Sequence, residues 1–111
     1  MVYSKSLAAR IRQLVGKRRG IVEKKMFGGV GFLLDGKLLV GIWQDSLIAR
    51  LGKEQAARAL EKPCVREFDI TGRAMKGWVL VEPEGMEDDG QLGAWIEKAT
   101  GFVATLPARK S

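Results

Sequence analysis

The run Val30-Gly31-Phe32-Leu33-Leu34-Asp35-Gly36-Lys37-Leu38-Leu39-Val40-Gly41-Ile42-Trp43 decides the fold. Asp-Gly between two apolar runs signals a two-residue type I′ hairpin, because both central residues of that turn need positive φ. The turn sets the register. If Leu34 pairs with Lys37, then Phe32 opposes Leu39, Val30 opposes Gly41 and Gly28 opposes Trp43, while Gly29, Gly31, Leu33, Leu38, Val40 and Ile42 point to the other face. Both faces of this hairpin are therefore apolar. Helices packed on one face leave the second to be covered by a homodimer partner, by another protein, or by elements of the same chain wrapped around a twisted sheet.

Outward from the hairpin, residues 47–51 form a third strand after the turn at Gln44-Asp45-Ser46. Towards the N-terminus, Leu7, Ala8, Ile11, Leu14 and Val15 make one apolar stripe on a helix over about 5–15, with Ser4 as N-cap and Gly16 as stop. Towards the C-terminus, 53–60 reads as a short helix, and 65–70 and 78–81 read as strands joined by the loop 71–77. Leu92, Trp95, Ile96, Ala99, Phe102, Val103 and Leu106 then mark a last helix that starts near Asp88 or Asp89 and stops before Pro107. The order is α-β-β-β-α-β-β-α. It implies an α+β two-layer sandwich with an antiparallel sheet of about five strands, in one domain over 1–111.

The residue inventory narrows the chemistry. There is no histidine and one cysteine, Cys64, so the chain cannot assemble a Ser-His or Cys-His nucleophile pair or a zinc site of His and Cys ligands. No cofactor or metal is expected, and no enzymatic activity. The first residues lack the apolar core of a signal peptide, the longest apolar runs are too short to span a bilayer, and one cysteine makes no internal disulfide; the expectation is a cytoplasmic protein. Glu87-Asp88-Asp89 could in principle hold Mg²⁺, but acids in the first turn of a helix are also what its dipole favours. Gly28-Gly29-Val30-Gly31 matches neither phosphate-binding fingerprint and leads into a strand, which points to a bend or bulge. Cys64 reads as a packing residue.

Charge is unevenly placed. The chain carries a formal net charge of +6, while residues 1–25 hold Lys5, Arg10, Arg12, Lys17, Arg18, Arg19, Lys24 and Lys25 against Glu23 alone. Lys17, Arg18, Arg19, Lys24 and Lys25 are the candidate contacts to a nucleic acid or an acidic protein face. The bland reading is a solvated helix face followed by a basic turn, whose cations suit the helix C-terminus. A second candidate is an anion site built from Lys24, Lys25, Arg50, Arg73 and Lys76, which three β segments carry. Most of the aromatic residues fall on core stripes; Phe27, beside Gly28, is the one placed to stack on a base.

The run Lys24-Lys25-Met26-Phe27-Gly28-Gly29-Val30-Gly31-Phe32 resembles the signature of the TfoX/Sxy family's N-terminal domain. The likeness continues through Asp35-Gly36, Gly41, Leu47 with Arg50, Phe68, Thr71-Gly72-Arg73-Ala74-Met75-Lys76-Gly77 and Val81-Glu82-Pro83 into the final helix, and so covers nearly the whole chain. The resemblance marks Phe27, Gly28, Gly29, Arg50, Arg73 and Lys76 as motif positions. It implies a two-layer α+β domain and a link to bacterial competence regulators, which act on transcription alongside the cyclic-AMP receptor protein. It supplies no catalytic residues, and the chain ends at Ser111, where the longer regulators continue into a helical second domain. The expectation is a stand-alone regulatory module working through protein contacts, with direct nucleic-acid binding as the alternative.

Overall fold

Helix α1 (Lys5–Val15) begins where the Ser4 hydroxyl accepts the Leu7 amide proton at 3.2 Å, and it buries the expected stripe of Leu7, Ala8, Ile11 and Val15. The Ser4 amide in turn donates to the Gln44 carbonyl, which ties the helix start to a strand turn. The computed structural model describes residues 4–16, 20–26, 29–68 and 76–106.

Six strands form one antiparallel sheet: β1 (Ile21–Met26), β2 (Gly29–Leu34), β3 (Lys37–Trp43), β4 (Ser46–Arg50), β5 (Val65–Glu67) and β6 (Trp78–Val81), in the spatial order β1-β2-β3-β4-β6-β5. The α+β class and the order of helices and strands are as expected, with one strand more. The added strand is β1, whose Glu23-Lys24-Lys25 breaks any alternation of apolar and polar residues. Such a strand is tolerable at a sheet edge, where lysines also discourage pairing with foreign strands. Arg12 of α1 grips it through two hydrogen bonds of 2.6 Å to the Glu23 carboxylate.

The β2–β3 turn is the expected one, with Asp35 at φ 51 and Gly36 at φ 82. A Cβ at Gly36 would meet nothing within 4 Å, so the requirement there is conformational alone. Gly36→Val should therefore lower stability by more than about 1 kcal/mol, read as a fall in the melting temperature, and an unchanged melting temperature would refute it.

The register beyond the turn corrects the sequence expectation. Leu34↔Lys37 and Leu33↔Leu38 pair as expected, but the pairing then shifts, and Phe32 meets Val40, Gly31 meets Gly41 and Val30 meets Ile42. This bulge flips the distal half of β3. Val40 and Ile42 consequently share the main core with Val30, Phe32 and Leu39 instead of lying opposite to them.

That core lies between the sheet and its helices. Helix α3 (Asp89–Val103) packs on β3 and β4 with α1 beside it, and α2 (Lys53–Ala59) packs on β6. The other face of the sheet has a smaller cluster of Ile48, Leu80 and Phe68, with Trp43 and Trp78 packed against it. Phe68, just after β5, is thus one cover that the chain itself supplies for its second apolar face.

Candidate functional site

At Arg50 the chain leaves β4 and turns through Leu51 and Gly52 into α2. Gly52 sits at φ 86 and ψ 159, a region that is essentially open to glycine only. The Leu51 and Gly52 amides both donate to the Gly77 carbonyl, at 2.9 and 3.0 Å, and so lock the start of α2 to the start of β6. Arg50, Lys53, Lys76 and Trp78 are gathered around this junction.

Arg50 and Trp78 are cross-strand partners on the outer face. The Arg50 guanidinium carbon lies 5.1 Å from the Trp78 ring centre and 6.0 Å from that of Phe102. Arg50 is half-buried, yet it has neither a carboxylate nor a hydrogen-bond partner among the described residues. Two aromatic rings thus hold a partly dehydrated cation in place while its fork of N–H donors stays unused.

Trp78 also lines a groove of about 390 Å³ between α2 and the sheet, together with Lys53, Ala56, Ala57, Leu60, Glu67, Lys76 and Gly77, so Arg50 adjoins this groove through the indole rather than lining it. Its walls are apolar and two lysines stand at its rim. On the other flank of α2 lies a cleft of about 180 Å³ lined by Leu51, Gln55, Arg58, Ala59, Lys62 and Lys98. Arg58 and Lys62, from α2 and the turn after it, meet Lys98 of α3 in that cleft, with no acidic residue in its lining among the described residues. No sequence pattern marks it, because Lys98 is brought there only by the packing of α3.

The sequence-derived sites are partly gathered. Lys17, Arg18, Arg19, Phe27, Gly28 and Arg73 lie outside the described residues. Lys24 and Lys25 are exposed on the edge strand β1, and Gly29 is buried at the start of β2. Arg50 and Lys76 both flank Trp78. Strands β2 and β3 separate Lys24 and Lys25 from Arg50, a distance of about 14 Å at the usual strand spacing. The described members of the supposed anion site therefore form two groups.

Two of the early cations have structural tasks. Arg10 donates to the Met86 carbonyl at 2.8 Å and to Asp89 at 2.9 Å, and so joins α1 to the start of α3. Arg12 holds Glu23, and its hydrogen bonds keep that carboxyl below its ordinary pKa against the opposing effect of partial burial. The acidic run is likewise built into the fold: Asp88 caps α3 by accepting from the Gln91 amide at 2.8 Å, within a reciprocal capping box, and Asp89 meets Arg10. Cys64 is half-buried against Gly85, where an added Cβ would come within 2.6 Å of its sulfur.

No helix among the described residues is long and apolar enough to cross a membrane. No curated protein and no solved structure matches the chain. The family model of the TfoX N-terminal domain, however, matches residues 13–103, a span that holds the whole sheet, α2 and α3 together with Arg50, Lys76 and Trp78, and the chain belongs to that family.

Proposed function

We propose that this domain is a cytoplasmic, non-enzymatic regulatory module that acts on transcription through protein contacts. The observation that supports this most directly is Arg50, a half-buried guanidinium near both the Trp78 and Phe102 rings, with Trp78 also lining an apolar groove. A stacked arginine next to aromatic and aliphatic surface is the residue mix of a protein-binding hot spot. Membership of the TfoX family points the partner towards transcription, in keeping with regulators that work alongside the cyclic-AMP receptor protein.

Direct nucleic-acid binding is the second reading, favoured by Lys24 and Lys25, which are exposed on β1 and have no acidic partner among the described residues. A gel-shift series across salt concentration separates the two, run beside in vitro transcription from a template that depends on the cyclic-AMP receptor protein. The protein-contact reading expects a changed transcript yield with no shift of the DNA by the domain alone. A shift with a steep salt dependence, abolished when Lys17, Arg18, Arg19, Lys24 and Lys25 are replaced by Gln, would establish the second reading in its place.

A further inference from the structure

We infer that the groove beside α2 receives a short acidic segment of a partner protein, with one of its carboxylates on Arg50 and its apolar side chains against Trp78 and Leu60. The inference rests on the reading of the domain as a protein-contact module and adds the chemistry of the partner. Three observations carry it.

The first is the state of Arg50. A guanidinium that loses part of its hydration normally recovers it through a carboxylate or carbonyl, and this one does neither among the described residues. Two ring centres lie 5.1 and 6.0 Å from its Cζ and restrict its movement, which lowers the cost of ordering it when a carboxylate binds in the bidentate geometry that arginine favours. The second is the groove, whose aliphatic floor and half-buried indole suit an apolar side chain, with Lys53 and Lys76 exposed at its rim. Glu67 is the single acidic residue lining it among the described residues.

The third is the far flank of α2, where Arg58, Lys62 and Lys98 share a cleft. Arg58 is offset only weakly, by an exposed contact of 3.6 Å to Glu54, and Lys98 lies over the Trp95 ring with its ammonium 4.9 Å from the ring centre. The two depressions lie on opposite flanks of α2, whose diameter with side chains is about 10–12 Å, so three or four extended residues cross it. A segment with acids at both ends of an apolar centre can therefore engage both flanks at once. A phosphate backbone would match the cations and leave the aliphatic floor unused.

The test uses the full chain and a fluorescein-labelled synthetic peptide that alternates Glu with Leu, a control peptide with Gln at every Glu, and a single-stranded oligonucleotide of equal net charge. Fluorescence anisotropy should show the acidic peptide binding at least about tenfold more tightly than either of the others, with affinity falling as salt is raised. Arg50→Lys, which keeps the charge and removes the fork, should weaken the acidic peptide by about tenfold and leave the glutamine peptide unaffected. Lys53→Gln with Lys76→Gln, both at exposed positions, gives the same readout without touching the packed junction, and should weaken it by several-fold. Equal binding of the glutamine peptide, preference for the oligonucleotide, or indifference to both sets of substitutions overturns the inference. Failure here together with a changed transcript yield would leave the protein-contact reading standing with a different partner chemistry. Peptide binding without any effect on transcription would do the reverse.

Discussion

Gly52→Val should lower the stability of this domain by about 3 kcal/mol or more, a fall in melting temperature of roughly 10 °C or beyond for a chain of this size. Two costs add. A non-glycine residue at φ 86 and ψ 159 is strained whatever surrounds it, at about 1–3 kcal/mol. A Cβ would also lie 2.6 Å from both Cδ1 and Cε1 of Phe102, so the ring must move. The costs are separable with Gly52→Ala: in a Phe102→Ala background its penalty should shrink by about half, because the ring is gone and the backbone strain remains. Thermal melts of the four proteins in that cycle decide it, and a Gly52→Ala penalty of the same size in both backgrounds would mean that the ring gives way freely. Since Phe102 is one of the two rings beside Arg50, Gly52→Val should also loosen the binding site.

Phe68→Ala should be as damaging, at about 3–5 kcal/mol, for a reason on the other side of the sheet. Phe68 is 1% exposed, is clustered with Ile48 and Leu80, and has its ring centre 6.0 Å from that of Trp78. Without it, Ile48 and Leu80 lose a cover that the chain provides. Denaturant unfolding should show the loss of stability, and the native protein should take up a hydrophobic dye that the wild type excludes. Self-association that rises with concentration, followed by light scattering, should accompany it. A variant that loses under about 1 kcal/mol and excludes the dye would show that Phe68 is not what covers this face.

The hairpin, the helices and the mixed architecture were legible because each has a local cause: positive φ at Asp35 and Gly36, the apolar stripe from Leu7 to Val15, and the capping acid at Asp88. The segment of Lys24 and Lys25 reads as β yet escapes the strand count, because β1 is held by Arg12 and a charged edge strand carries no periodic signature. The face assignment of Val40 and Ile42 failed for a related reason. A bulge changes the parity of a strand, and nothing in Leu38-Leu39-Val40 distinguishes a bulged leucine from a paired one. Of the candidate site, Arg50 and Lys76 could be named from motif positions alone. Trp78 read as core until its pairing with Arg50 placed it at a groove, and the cleft with Lys62 and Lys98 exists only through tertiary packing.

The bond from Arg10 to the Met86 carbonyl and to Asp89 joins residues 76 and 79 positions apart. As the chain is synthesised, α1 emerges first and the strands can pair behind it, yet one wall of its burial site belongs to the last helix. The apolar stripe of α1 must therefore wait, uncovered on that side, until residues 86–103 have left the ribosome. A nascent chain stalled before residue 86 should accordingly leave Leu7 and Ile11 open to a chaperone, detectable by site-specific crosslinking from those positions, and release of residues 86–103 should close them. The joint between α1 and the start of α3 thus leaves a chain that lacks residues 86–103 showing apolar surface that the folded domain conceals.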